Sequence, residues 1–269
     1  MTIPRSALLA AWAGAVAAGR VRAADALDAV VGEDEPHVVE PSAGFTAPPW
    51  LPVPDPGYLS DLLVLLGAAG ESHPVAVRCV LPVPGDVRGV PGPPALLAAA
   101  VQAGECVVLD GLPDGRGGAS SIALVPEVEE FGPVDDVGVQ VRWQAHHAEP
   151  LLGTPLATSV AEADTAFRLA LAEATAALEG LDLSSWRPDA TAGLRSRAQP
   201  DGQPLPPTLG ARSLRLLTRA ERVLAILEIA EADHGGVVTG WEAGRRSASL
   251  GELSRATRSA VVAAVSLAG

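Results

Sequence analysis

Val137-Gly138-Val139-Gln140-Val141-Arg142-Trp143-Gln144 carries the clearest period of two in this 269-residue chain. In an extended backbone Val137, Val139, Val141 and Trp143 fall on one side, and Gly138, Gln140, Arg142 and Gln144 on the other. One dry and one wet face is the pattern of an antiparallel sheet covered on one side. Toward the N-terminus, Ile122–Val125 predicts a strand, and Val75–Leu81 another, closed by Pro82 and Pro84, which cannot donate to a ladder. Pro94–Ala103 predicts a short helix and Cys106–Asp110 a buried strand. Strand, helix and strand at this spacing predict a right-handed crossover joining parallel neighbours. The expected fold is therefore α+β: a central mixed β-sheet of four or more strands flanked by helices, with a helical C-terminal region.

The remaining segments read as helices and connectors. Arg5–Val31 predicts one surface helix, stopped by Gly32 and the acidic run Glu33-Asp34-Glu35 before Pro36. Its apolar run, Ala7–Gly19, is short of the about 20 residues a membrane span needs. That run has a faint look of a secretion signal, but the helical pattern continues past Arg20 and Arg22. Pro41–Pro56, which includes Trp50, reads as a draped connector, and Tyr58–Ala69 as a short apolar helix. Ser159 with Glu162 forms a capping-box pattern opening a helix to about Glu179. Arg212–Asp233 is the strongest helical signal, closed by His234-Gly235-Gly236. Thr239 with Glu242 and Ser249 with Glu252 suggest two further capping boxes before a last helix through about Leu267. Leu181–Leu209, rich in Pro, Gly and charge, is the expected boundary. The division reads as an α+β domain over 1–180, a connector over 181–210 and a helical region over 211–269, packed on the first.

Composition excludes several chemistries. All 19 basic residues are Arg, there is no Lys or Asn, and 32 acidic residues bring the net charge to −13. Schiff-base chemistry on a Lys and the Lys of a phosphate-cradling loop both fall. The acidic balance argues against nucleic acid, which needs clustered cations to displace counterions. Charge is uneven: up to Gly193 there are 9 Arg against 25 acidic residues, net −16, and from Leu194 onward 10 against 7, net +3. The basic C-terminal helices are thus expected to meet carboxylates, of the same chain or of a protein partner. Cys79 and Cys106 lie in apolar runs and read as buried, reduced thiols of a cytoplasmic protein.

Two constellations stand out as candidate sites. Arg212, Arg215, Arg219 and Arg222 recur at spacings of three and four, forming one stripe on a helix, with Leu214, Leu217, Leu224 and Leu227 on another side. Such a stripe is a solvated face or a clamp for an acidic surface, because guanidinium grips carboxylates in a bidentate way. His146, His147 and Glu149 form the alternative polar cluster just past a strand. His147-x-Glu149 matches half of a zinc-deaminase signature, but no Pro-Cys-x-x-Cys follows it. Consecutive histidines in a strand also point to opposite faces, so they do not share a metal. Gly111–Gly118 reads as a wide hairpin connection rather than a phosphate loop, since no helix follows it. The Gly85–Pro94 loop lacks the glycine spacing of a nucleotide fingerprint. Ser120 and Ser121 lack the nucleophile-elbow pattern. No catalytic residue, metal ligand or cofactor is assigned.

Leu81-Pro82-Val83-Pro84-Gly85-Asp86 through Ala103-Gly104-Glu105-Cys106-Val107-Val108, and Ala232-Asp233-His234-Gly235-Gly236-Val237-Val238-Thr239, resemble segments of conserved actinobacterial proteins of unassigned function. The resemblance implies a bacterial, cytoplasmic setting and lends no functional residue. The leading expectation is a non-enzymatic protein-interaction or regulatory module working through the C-terminal basic helices. The alternative is a small-molecule enzyme or ligand-binding protein with its site near the 85–94 loop and the strand ends.

Overall fold

The structure is a computed structural model, which describes residues 3–34, 36–47, 57–114, 118–133, 137–150, 159–179, 204–232 and 240–266. These gather into two compact units. One is built mainly from residues 3–150 and 204–209, the other from 159–179, 210–232 and 240–264.

The first unit opens with α1 (Arg5–Ala17) and α2 (Ala23–Val31), which the sequence reads as one surface helix. Gly19, at φ +65°, breaks it, because that left-handed conformation ends the helical ladder. Nor is α1 a surface helix: eleven of its thirteen residues are buried. The sequence explains why, since a helix that is small and apolar all round has no wet side to offer. Strands β1 (Val38–Pro41) and β2 (Gly57–Tyr58) follow, then α3 (Leu59–Ser72). α1 packs between the sheet and α3. Gly70 permits that close approach, since a Cβ there would sit 1.9 Å from the Ala17 carbonyl oxygen.

Next come β3 (Ala76–Val80), α4 (Pro94–Ala103), β4 (Cys106–Pro113), β5 (Ala119–Phe131) and β6 (Gly138–Ala148). The six strands form one mixed sheet in the order β2-β1-β6-β5-β4-β3. Its parallel pair is β1 with β6, not β3 with β4. The crossover expected between those two strands is absent. Val80 pairs with Cys106, so the end of β3 meets the start of β4 and the pair is antiparallel. The 81–93 connection first runs out to the far strand, where Glu149 N donates to the Pro91 carbonyl. α4 then returns over β5 and β6. The helix therefore lies inside a wide hairpin, a path that element spacing alone does not distinguish from a crossover.

The register divides the core. Val80, Cys106, Val108, Ala123 and Val125 form a buried cluster under Leu96 and Ala100 of α4. Cys79, paired with Val107, faces the opposite side, with α1 packed against β3. Both thiols are free and buried, and burial pushes Cys106 up to about 12, beyond the range in which it ionises near neutral pH. In β6 the alternation holds at Val141, Trp143 and Ala145, each fully buried, but Val137 is 50% exposed. Its end of the β5–β6 hairpin, with Val128 and Phe131, reaches past the covered part of the sheet. The sheet's two borders are β2, two residues long, and β3, five residues set between Pro74 and Pro82.

The second unit holds α5 (Val160–Glu179), α6 (Ala211–Ala232) and α7 (Gly240–Val265). The Ser159–Glu162 capping box is formed: Ser159 N donates to Glu162 Oε2 at 2.9 Å, and Glu162 N to Ser159 Oγ at 3.2 Å. Ser249, by contrast, starts nothing; it lies inside α7, where no Pro interrupts the helix. The motifs around Trp50, His234-Gly235-Gly236 and Thr239 lie outside the described residues. No helix among the described residues is long and apolar enough to cross a membrane.

Candidate functional site

A cleft of about 420 Å³ opens in the first unit beside α2, Gly32, Asp34, Pro36 and His37, with β2 and the start of α3 completing its wall. Its position follows from two local stops. Gly32, at φ +58°, ends α2, and Pro36 turns the chain into β1. Asp34 between them and His37 just after Pro36 face the gap, with Asp28 from α2 and Tyr58 and Ser60 from the β2–α3 junction.

His37 is the pivot. It is 2% exposed, and its Nδ1 accepts a hydrogen bond from Trp143 Nε1 of β6 at 3.3 Å. An indole nitrogen can only donate, so the neutral imidazole carries its own proton on Nε2. Nε2 lies 3.5 Å from Asp34 Oδ2, but it has no aligned hydrogen-bond partner among the described residues. Burial holds the imidazole below its ordinary proton affinity, with the hydrogen bond and charge of Asp34 pulling the other way. Near neutral pH His37 is therefore uncharged, with its buried Nε2 3.5 Å from the Asp34 carboxylate. Asp34 is held from the side by Arg5, whose guanidinium donates to Oδ2 at 3.1 Å, whereas Asp28 is exposed. Leu27, Val31 and Pro36 supply apolar wall.

None of these residues stands out in the sequence reading, which took the 33–36 run as a helix stop. The signal available was a lone histidine between an acidic run and the apolar pair Val38-Val39.

The two sequence-derived constellations lie elsewhere. His146 and His147 point to opposite faces of β6, as the alternation requires. His147 meets Phe45, ring centroids 4.7 Å apart, and its Nε2 accepts from Thr46 N at 3.3 Å. His146 is 8% exposed, shares a face with Ala123, and has no hydrogen-bond partner for Nε2 among the described residues. Desolvation lowers its proton affinity. Glu149 is exposed, with its backbone on the 85–94 loop. The loop does pack against this strand end: a Cβ on Gly92 would lie 3.2 Å from the His147 carbonyl oxygen. Among the described residues no cluster of His, Cys, Asp and Glu is arranged to hold a metal.

Arg212, Arg215 and Arg222 stand exposed on α6. Arg219 pairs with Asp164 of α5, to which Arg168 also reaches at 3.5 Å. The buried stripe of α6 is Leu216, Leu217, Ala220, Val223 and Leu227, while Leu214 is 45% exposed.

Comparison with known proteins covers nearly all of the chain. Residues 6–157 match the N-terminal domain, and residues 161–262 the C-terminal domain, of the Rv1486c-like protein family. The chain is 30% identical over 287 aligned positions to the uncharacterized protein Rv1486c of Mycobacterium tuberculosis, covering 97% of this chain and 95% of that protein. It is 29% identical over 259 positions to the uncharacterized protein ML1804 of Mycobacterium leprae, with 83% of each covered. No solved structure matches. The resemblance to conserved actinobacterial proteins of unassigned function is thus shown over both parts of the chain.

Proposed function

Because this chain belongs to the Rv1486c-like protein family, whose relatives lend no chemistry, we propose from its own geometry that it is a non-enzymatic binding protein with a small-molecule cleft at His37. The observation that carries this is the convergence, from separate elements, of a buried imidazole and two carboxylates on one cleft of about 420 Å³. That size falls in the range of small-molecule pockets, about 300–1,000 Å³.

Binding rather than nucleophilic catalysis follows from the imidazole. Ser60 lines the same cleft, so a serine–histidine pair is the obvious competing reading. A general base needs a free lone pair, and the one on His37 Nδ1 is already taken by Trp143. The test is to label the histidines with ¹³C and ¹⁵N and titrate the full chain with cationic, neutral and anionic fragments. Saturable movement of the His37 ring signals is expected with at least one class. Silence from all three classes overturns the reading.

A second reading rests on α6, where Arg212, Arg215 and Arg222 stand exposed beside Leu214. This face suits an acidic protein partner, gripped by guanidinium forks around an apolar contact. The paired change Arg215→Glu with Arg222→Glu then abolishes co-purification of an acidic protein without lowering the melting temperature. Unchanged co-purification leaves the face as solvated charge.

A further inference from the structure

We propose that the chain pairs with a second copy of itself, α6 of one copy covering the bare end of the β5–β6 hairpin of the other; this rests on the second reading above and names its acidic partner.

The hairpin end is an unfinished piece of the core. β4 pairs with β5 only as far as Leu124, and β1 pairs with β6 only from Arg142 onward, so residues 126–131 and 138–141 form a two-stranded ribbon beyond their neighbours. Val128 pairs with the fully buried Val141 and continues the face that carries Trp143, yet it is 48% exposed, and Val137 is 50% exposed. Glu130 stands on the same face, opposite Val139. It has no cation within ion-pair distance among the described residues, whereas Glu127 and Glu129 share Arg142, at 3.8 and 3.1 Å. Three carboxylates with one guanidinium leave this apolar patch ringed by negative charge.

α6 offers the complement. Arg215, Thr218, Arg222 and Ile226 follow at spacings of three and four, which places them on one exposed stripe, with Leu214 beside it. Arg219 is taken by Asp164 of α5. From Leu214 to Ile226 the stripe runs about 18 Å, and residues 126–131 of the ribbon run about 17 Å, so one helix spans the bare face. Leu214 and Ile226 then meet the valines, and the guanidinium forks meet Glu129 and Glu130. Every copy carries both surfaces, so two such contacts about a two-fold axis satisfy all four at once. An unrelated acidic protein covers only α6 and leaves the hairpin bare.

Sedimentation velocity on the full chain is expected to show the mass of two chains, giving way to one on dilution and at high salt, where exposed charges are screened. Arg215→Glu with Arg222→Glu, and separately Glu129→Arg with Glu130→Arg, are each expected to weaken pairing about tenfold or more, because each sets like charges face to face. An equimolar mixture of the two variants is expected to pair again, since both of its contacts then join opposite charges. Thermal melts establish that each variant is folded. A mixture of folded variants that stays single overturns the proposal, and so does pairing that survives both reversals. A parent that stays single at every concentration overturns it too. If that parent still captures another acidic protein through Arg215 and Arg222, the second copy falls and the acidic-partner reading stands. If it captures nothing, both fall.

Discussion

Glu105 does for α1 what its own N-cap residue cannot. Pro4 holds that position without a side-chain cap, and the Glu105 carboxylate, just ahead of β4, accepts from Ser6 N at 2.7 Å. An anion there answers both the free amides and the positive end of the helix. Burial nevertheless raises the proton affinity of this carboxyl above the ordinary range, against the smaller pull of Ser6 and Arg5. Its folded pKa thus exceeds its unfolded one, so the folded state binds the extra proton between the two values, and stability is lost as pH rises through that window. Glu105→Gln keeps an accepting oxygen and removes the buried charge. It is expected to melt no lower than the parent at pH 7, any advantage closing as pH falls to about 4.5, the ordinary value. Glu105→Ala orphans the amide and should cost about 1–3 kcal/mol. The buried histidines run the other way. His37 and His146 are both held below the ordinary value of 6.5, so the unfolded chain takes up protons first as pH falls. Stability is fully present above about pH 6.5 and declines below it. Between pH 7 and pH 5.5 the urea midpoint of His146→Phe is expected to fall less than the parent's, and an equal change in the two would contradict this.

Among the elements, β6 shows what period two does and does not specify. Val141→Asp is expected to destabilise by about 3–5 kcal/mol, the cost of an unpaired buried charge, because Val141 is fully buried. Val137→Asp should change stability by no more than about 0.5 kcal/mol, as for an ordinary surface position, since Val137 is half exposed. Equal losses in thermal melts would refute the assignment. The alternation identified the inward face, but where the covering layer stops is decided by helices elsewhere in the chain. The same division runs through the fold. Some caps and breakers were legible, among them Ser159–Glu162, Gly32 and the end of α4 after Ala103, whereas the break at Gly19 and the unbroken course of α7 through Ser249 were not. Strand direction was not, because the 81–105 connection is long enough for either outcome, and only the Val80–Cys106 pairing decides it. The cleft was illegible for a related reason. His37 draws its meaning from Trp143, 106 positions away in sequence, and a single chain carries no local trace of that contact.

At the scale of the molecule, the chain returns to the first unit before entering α6. Residues 204–209 belong with that unit, and Trp12 Nε1 donates to the Pro204 carbonyl at 2.8 Å across 192 positions. Trp12→Phe keeps most of the apolar surface and removes the donor, so it should cost about 0.5–1.5 kcal/mol, the net worth of one hydrogen bond. A melting temperature equal to the parent's would show that the return segment is held by other contacts. The sheet borders carry a different consequence. Inside the sheet, β5 carries the uncharged apolar run Ile122-Ala123-Leu124-Val125, the kind of short segment that templates fibril growth once its edges lie open. Growth requires an open border long enough to register a newcomer. Along Ile122–Leu124 both edges are taken, by β4 and by β6, one sheet border is two residues long and the other is bracketed by prolines, and the part of β5 that runs past β4 carries Pro126, Glu127, Glu129 and Glu130, which block a newcomer. Conversion to amyloid must therefore wait for Ile122–Leu124 to lose β4 and β6, so its lag follows the rate of global unfolding rather than protein concentration, and preformed seeds should not shorten it.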